Sequence, residues 1–112
     1  MVLAVECVHD MAHPVEVLAA VRGAVAPDAI VLVVDEAADP VLAAPGDELQ
    51  RLFYGFSLAI CLPDSLSHPG SVATGTVMRP STLDTYARRA GFAAATPLAF
   101  DAALWRFYRL DL

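Results

Sequence analysis

The chain opens on MVLAVE (residues 1–6), an apolar run in which hydrophobic and polar positions do not alternate. Such a run predicts a strand buried on both faces, as in a parallel sheet. His13-Pro14 then predicts one extended residue and the first turn of a helix, where proline's missing N–H does no harm. Glu16 falls in that turn, where a carboxylate favours the positive end of the helix dipole. Val15, Leu18, Val21 and Val25 recur at helical spacing, Arg22 lies near the helix end, and Pro27-Asp28 makes a turn. AIVLVVDE (29–36) is a second buried-type strand, closed by Asp39-Pro40. Strand, helix, strand at this spacing predicts a βαβ unit with parallel strands and a right-handed crossover.

The periodicity then changes. Within GDELQRLFYGFSLAICL (46–62), Leu49, Leu52, Phe53, Phe56 and Ile60 fall on one helical stripe, which Gly55 weakens locally. From Leu62 to Arg79 the chain is rich in Pro, Ser, Gly and Thr, and reads as a long loop of the lid or binding kind. Arg79-Pro80 marks a boundary, with Ser81 as candidate N-cap and Asp84 three residues on. TLDTYARRAGF (82–92) predicts a short helix, with Arg88 and Arg89 at its C-terminal end and Gly91 in the left-handed position beyond it. FAAATPLAF (92–100) and LWRFYRLDL (104–112) predict two strands joined by the few residues around Asp101, a link so short that the pair must be antiparallel. The pattern predicts one α/β domain over residues 1–112, with a mostly parallel sheet and one reversed strand.

Composition narrows the partners. The chain is 57% hydrophobic, ample for a core, and carries 7 basic against 13 acidic residues for a net charge of -6. A nucleic-acid phosphate binder needs a basic face, which this balance argues against. Cys7 and Cys61 lie far apart and match no metal spacing, so they predict reduced thiols in a cytoplasmic protein. The N-terminus shows no signal-peptide pattern, and no apolar run is long enough to span a membrane.

The ordered elements, with these residues, resemble the C-terminal half of a class I S-adenosylmethionine-dependent methyltransferase. VLAVECVHD looks like that family's fourth strand and following loop, and VEVLAAVRGAVAPDAIVLVVDE like its next helix and fifth strand. STLDTYARRAGFAAATPLAF resembles the helix and sixth strand, and WRFYRL the reversed seventh strand, which lies between the fifth and sixth. The segment 46–79 is similar to the helical substrate lid of small-molecule members. The resemblance implies a partial Rossmann-like sheet of order 4-5-7-6 with the last strand antiparallel. Asp28-Ala29 departs from the two glycines usual there. More is absent: no two of the six glycines stand at G-x-G spacing, so the family's cofactor turn is not in these residues. The expectation is a fragment lacking the N-terminal half of the fold and inactive alone, which partners that half or pairs with itself through the open edge Met1–Val5.

On the same resemblance, VHDM (8–11) is similar to the HDW motif of O-methyltransferases, with Met11 in place of tryptophan. That implies His9 as general base and Asp10 as its acid, in methyl transfer to a small molecule at a hydroxyl. A neutral imidazole suits the role; otherwise His9 only hydrogen-bonds the loop, with Asp10 or His13 helping to start the helix. Glu6, Cys7 and Met11 would border the methionine part of S-adenosylmethionine; from the residues alone, Cys7 reads first as a small buried hydrophobe, and Glu6 either faces a ligand or caps, or is a plainly exposed acid. Asp35, Tyr54 and Phe56 would face the substrate or form the lid, with Asp35 and Glu36 otherwise a solvated strand end. His68 and Arg79 belong to the same lid. His9 and His13 suggest a metal pair, but spacing supplies no third ligand, so no metal is expected. The competing readings are a non-catalytic interaction or oligomerisation module, and another doubly wound enzyme.

Overall fold

A computed structural model describes residues 1–99 and 102–112, and shows four strands in one mixed sheet with helices packed against it. The strands are β1 (Val2–Val5), β2 (Val31–Glu36), β3 (Ala94–Pro97) and β4 (Trp105–Asp111). The helices are α1 (Pro14–Ala24), α2 (Glu48–Phe56), α3 (Leu62–Leu66) and α4 (Pro80–Arg89), with a π-helical turn (Ser57–Cys61) joining α2 to α3. Sheet order is β1-β2-β4-β3. β1 and β2 run parallel, as the crossover through α1 requires, while β4 lies antiparallel to both β2 and β3. The expected connection through Asp101 lies outside the described residues, as does Phe100 at the end of the expected third strand.

Local sequence accounts for the helix ends. Pro14 begins α1, with Glu16 in its first turn and Arg22 in its last. The Asp47 side chain caps α2 by accepting the Gln50 backbone N–H at 2.8 Å. Gly91, at φ +94°, ends α4: its N–H bonds Arg88 O and the Phe92 N–H bonds Ala87 O, which satisfies two last-turn carbonyls. The sheet face formed by Val31, Val33, Tyr108, Leu110 and Ala95 packs on Leu18, Leu83, Ala87 and Phe92 to make the core.

Three expectations need correcting. The opening strand is not buried on both faces. β1 is an edge strand that alternates, with Leu3 54% and Val5 49% exposed. Register sets Leu3 beside Leu32, Val5 beside Val34, and Val34 beside Phe107, and the second sheet face presents an open apolar depression lined by Leu3, Val5, Val34, Trp105 and Phe107. The second helix does not stop at Leu62 but runs on through the π turn and α3 to Leu66, into the expected loop. Along its stripe Phe53 is buried, while Leu52, Phe56 and Ile60 are exposed. Finally, Ser81 is no cap. The residue before proline favours extended backbone, so Arg79 becomes the N-cap and α4 starts at Pro80. No described helix is long and apolar enough to cross a membrane.

Asp84, freed from capping, ties α4 to the sheet. Its Oδ1 accepts the Ala95 N–H at 3.0 Å and its Oδ2 the Arg88 Nε–H at 2.8 Å. The Arg88 bond, then the Ala95 bond, hold this carboxyl below its ordinary value. A carboxyl with a depressed folded value stabilises above its unfolded value, and loses that contribution as pH falls through the folded one. Asp84→Ala should therefore lower stability by about 1–2 kcal/mol at neutral pH. The gap from wild type, read by urea denaturation, should narrow towards about pH 3. An equal gap at both would contradict this role.

Candidate functional site

The polar residues of interest meet at the carboxyl ends of the two parallel strands. Glu6 follows β1 in left-handed backbone (φ +53°), a conformation strained for a residue with a Cβ. The turn that follows is closed by Asp10 N–H to Cys7 O and Met11 N–H to Val8 O, each 3.3 Å, and Val8 is fully buried beneath it. His9 is thereby set inward, with 3% of its surface exposed. From the far side the Gly75 N–H donates to His9 O at 3.1 Å.

Each ring nitrogen of His9 has a defined neighbourhood. Nδ1 lies 2.6 Å from Asp35 Oδ1, a short charge-assisted bond, and 3.3 Å from Glu36 Oε2. Asp35 Oδ1 also accepts the Glu36 backbone N–H at 3.1 Å, so the carboxylate is oriented by its own strand. A carboxylate has no proton to give, so this bond fits a ring that carries its proton on Nδ1. Nε2 points the other way, 3.2 Å from Asp10 Oδ1 and 3.6 Å from Cys61 Sγ. The Thr76 hydroxyl donates to that sulfur at 3.0 Å.

Around this one imidazole stand four carboxyl groups: Glu6, Asp10, Asp35 and Glu36. Glu6 Oε1, Asp10 Oδ1, Asp35 Oδ2 and Glu36 Oε2 are buried atoms without a hydrogen-bond partner. Nearby arginines are turned elsewhere: Arg79 donates to Asp39 O and the Tyr54 hydroxyl, and Arg106 to Ala38 O. The electrostatics follow. Burial works against a charged His9, but the Asp35 hydrogen bond and the charges of Asp35, Glu36 and Asp10 outweigh it and raise the imidazole to about 9. Burial, then Asp35, push Glu36 up to about 8 against the pull of His9. Burial, then Asp35, raise Glu6, and burial raises the thiols of Cys7 and Cys61.

A cavity of about 310 Å³ opens beside Nε2. Its polar wall is Glu6, His9, Asp10, Glu36, Cys61 and Thr76, and its apolar wall includes Leu52, Phe53, Phe56, Ile60 and Trp105. The π turn helps bring Ile60 and Cys61 onto this wall along with the α2 residues.

The expected site residues thus divide. His9, Asp10, Glu6 and Phe56 meet at one cavity. Asp35 does not face it; it is 1% exposed and stands behind the histidine. Nor are Asp35 and Glu36 a solvated strand end, since both are buried. Cys7 and Met11 pack against the core, outside the cavity wall. Tyr54 lines a separate pocket and holds Arg79 at 2.7 Å. His13 caps α1 by backbone only, and His68 is exposed. Cys61 and Thr76 were missed as site residues. They lie far from His9 along the chain, and only the stripe leading to Ile60 hinted that Cys61 shares its wall.

No family model and no curated protein matches this chain.

The contact between Gly75 and the His9 loop needs a residue without a side chain. Gly75 has φ +70°, and a Cβ there would run into Ser57 Oγ and stand 2.8 Å from Leu62 Cγ. Gly55, inside α2, has nothing within 4 Å of such a Cβ. Gly75→Ala should cost about 2–4 kcal/mol, from backbone strain plus overpacking. Gly55→Ala should instead stabilise by about 0.5–1 kcal/mol. Thermal and urea unfolding of both variants check the opposite signs.

Proposed function

We propose that the cavity binds a small, largely apolar molecule with a hydroxyl group, and that His9 takes the hydroxyl proton during S-adenosylmethionine-dependent methylation of that oxygen. The observation that carries the reading is the ring's orientation. Nδ1 is held by buried Asp35, and Nε2 faces a cavity with aromatic walls. The substrate hydroxyl would donate to Nε2, its proton would pass to that nitrogen, and Asp35 would stabilise the imidazolium formed. A raised His9 works both ways: its neutral form is the stronger base, and less of that form is present at neutral pH. Phe53, Phe56 and Trp105 would hold the apolar body and keep water from the reacting oxygen.

The family reading has support from the order β1-β2-β4-β3 with its reversed strand, which is the order 4-5-7-6 of a Rossmann-like methyltransferase sheet, and from VHDM at the end of the first strand. When bound, S-adenosylmethionine supplies an electrophilic methyl group on a positively charged sulfur. The orphaned Glu6 Oε1 and Asp10 Oδ1 fit such a cation. The described residues offer no glycine-rich turn for its nucleotide part, which would be held outside them. A second reading, a non-catalytic module that associates through Met1–Val5, draws on the exposed Leu3 and Val5 of the open β1 edge.

The test uses the protein purified from the cells that encode it, tagged after Leu112 so that whatever accompanies it is kept. Labelled S-adenosylmethionine is offered with a panel of phenols and alcohols. Methyl transfer is expected to oxygen, and His9→Ala should lower turnover roughly 10²- to 10⁴-fold with cofactor affinity nearly unchanged. Transfer to no hydroxyl acceptor, or a normal rate in His9→Ala, would overturn the reading. A dimer dissolved by Leu3→Lys, without any methyl transfer, would favour the second.

A further inference from the structure

Three potential ligand atoms converge on one point at the cavity wall: His9 Nε2, Asp10 Oδ1 and Cys61 Sγ, all within 4.8 Å of one another. We propose that they form a binding site for a zinc-class divalent cation, with its fourth coordination position open to the cavity.

The separations fit. With zinc–nitrogen and zinc–oxygen bonds near 2.1 Å and a zinc–sulfur bond near 2.3 Å, tetrahedral angles set nitrogen and oxygen about 3.4 Å apart and nitrogen and sulfur about 3.6 Å apart. The structure holds Nε2 at 3.2 Å from Asp10 Oδ1 and 3.6 Å from Cys61 Sγ. The donor set is equally suited, since one imidazole, one carboxylate and one thiolate match a borderline-soft ion better than magnesium or calcium. The outer shell is in place: Asp35 accepts from Nδ1 at 2.6 Å, the carboxylate–histidine arrangement that presents the opposite nitrogen to a metal, and the Thr76 hydroxyl donates to the sulfur.

An independent observation points to a cation. Glu36 is buried, lines this cavity, and leaves Oε2 without a hydrogen-bond partner. Asp10 Oδ1 is likewise orphaned, and no arginine lines the wall. One imidazolium cannot balance this many carboxyl groups, and a divalent ion would neutralise more of their charge. On binding, Cys61 would release its thiol proton and the His9 imidazolium its Nε2 proton to solvent, so that both ligate through free lone pairs.

The inference does not rest on methyl transfer. An ion on Nε2 occupies the lone pair that a base needs, so loaded and proton-accepting states of His9 exclude each other. Metal loading would switch off the reaction proposed above.

Cobalt(II) is the probe, because a cysteine thiolate gives it a charge-transfer band and tetrahedral ligands intensify its visible bands. Titration of the metal-free protein with cobalt chloride should produce both, and zinc chloride should bleach them. Cys61→Ser should remove the charge-transfer band while Cys7→Ser keeps it. Asp35→Asn should weaken binding roughly 10- to 100-fold. In the wild-type protein, zinc should slow alkylation of Cys61 and not of Cys7, a readout that needs no variant to fold. Absence of the band at millimolar cobalt, its survival in Cys61→Ser, or equal alkylation of Cys61 with and without zinc would each overturn the site. None of these readouts depends on methyl transfer, so failure of either proposal leaves the other standing.

Discussion

The bond between His9 Nδ1 and Asp35 Oδ1 organises this end of the molecule. It is 2.6 Å long and nearly free of solvent, and it links the loop after β1 to the end of β2. Parallel pairing of Val5 with Val34 brings the two strand ends level, so the loop after one can reach the residue ending the other. With Nδ1 engaged, Nε2 has one direction left, towards Asp10, Cys61 and the cavity. Loss of the Asp35 charge would leave a buried imidazole without an anchor and free the ring to turn.

The site's second property is negative charge without arginine. Four carboxyl groups surround one imidazole, and all seven basic residues of the chain lie off the cavity wall. Crowding of carboxyl groups around the ring, with Asp35 and Glu36 buried, raises both His9 and Glu36. A proton answers this charge, and the proposed sulfonium or metal ion would answer the same charge and compete for the same small space. The facing wall, from α2 and the π turn, is apolar.

Legibility in the sequence followed locality. The βαβ unit, the start of α1 at Pro14 and the end of α4 at Gly91 were readable because a proline, a glycine and a helical period act within a few residues. Ser81 misled because the bias of Pro80 on Arg79 acts more strongly than a serine's capping preference. The exposure of β1 was hidden, since an apolar run reads alike whether or not anything covers it. His9 and Asp10 stood out as neighbours, whereas Cys61 joins them only through the fold, 52 residues along the chain from His9. Asp35 looked like a strand end open to solvent, and nothing local told that a histidine would close over it.

The most direct test is nitrogen-detected NMR of the His9 ring in the intact protein. The account predicts a proton on Nδ1 that is shifted far downfield, exchanges slowly with water, and moves upfield and broadens in Asp35→Asn. A neutral ring with its proton on Nε2, or a rapidly exchanging Nδ1 proton that is insensitive to Asp35→Asn, would contradict it.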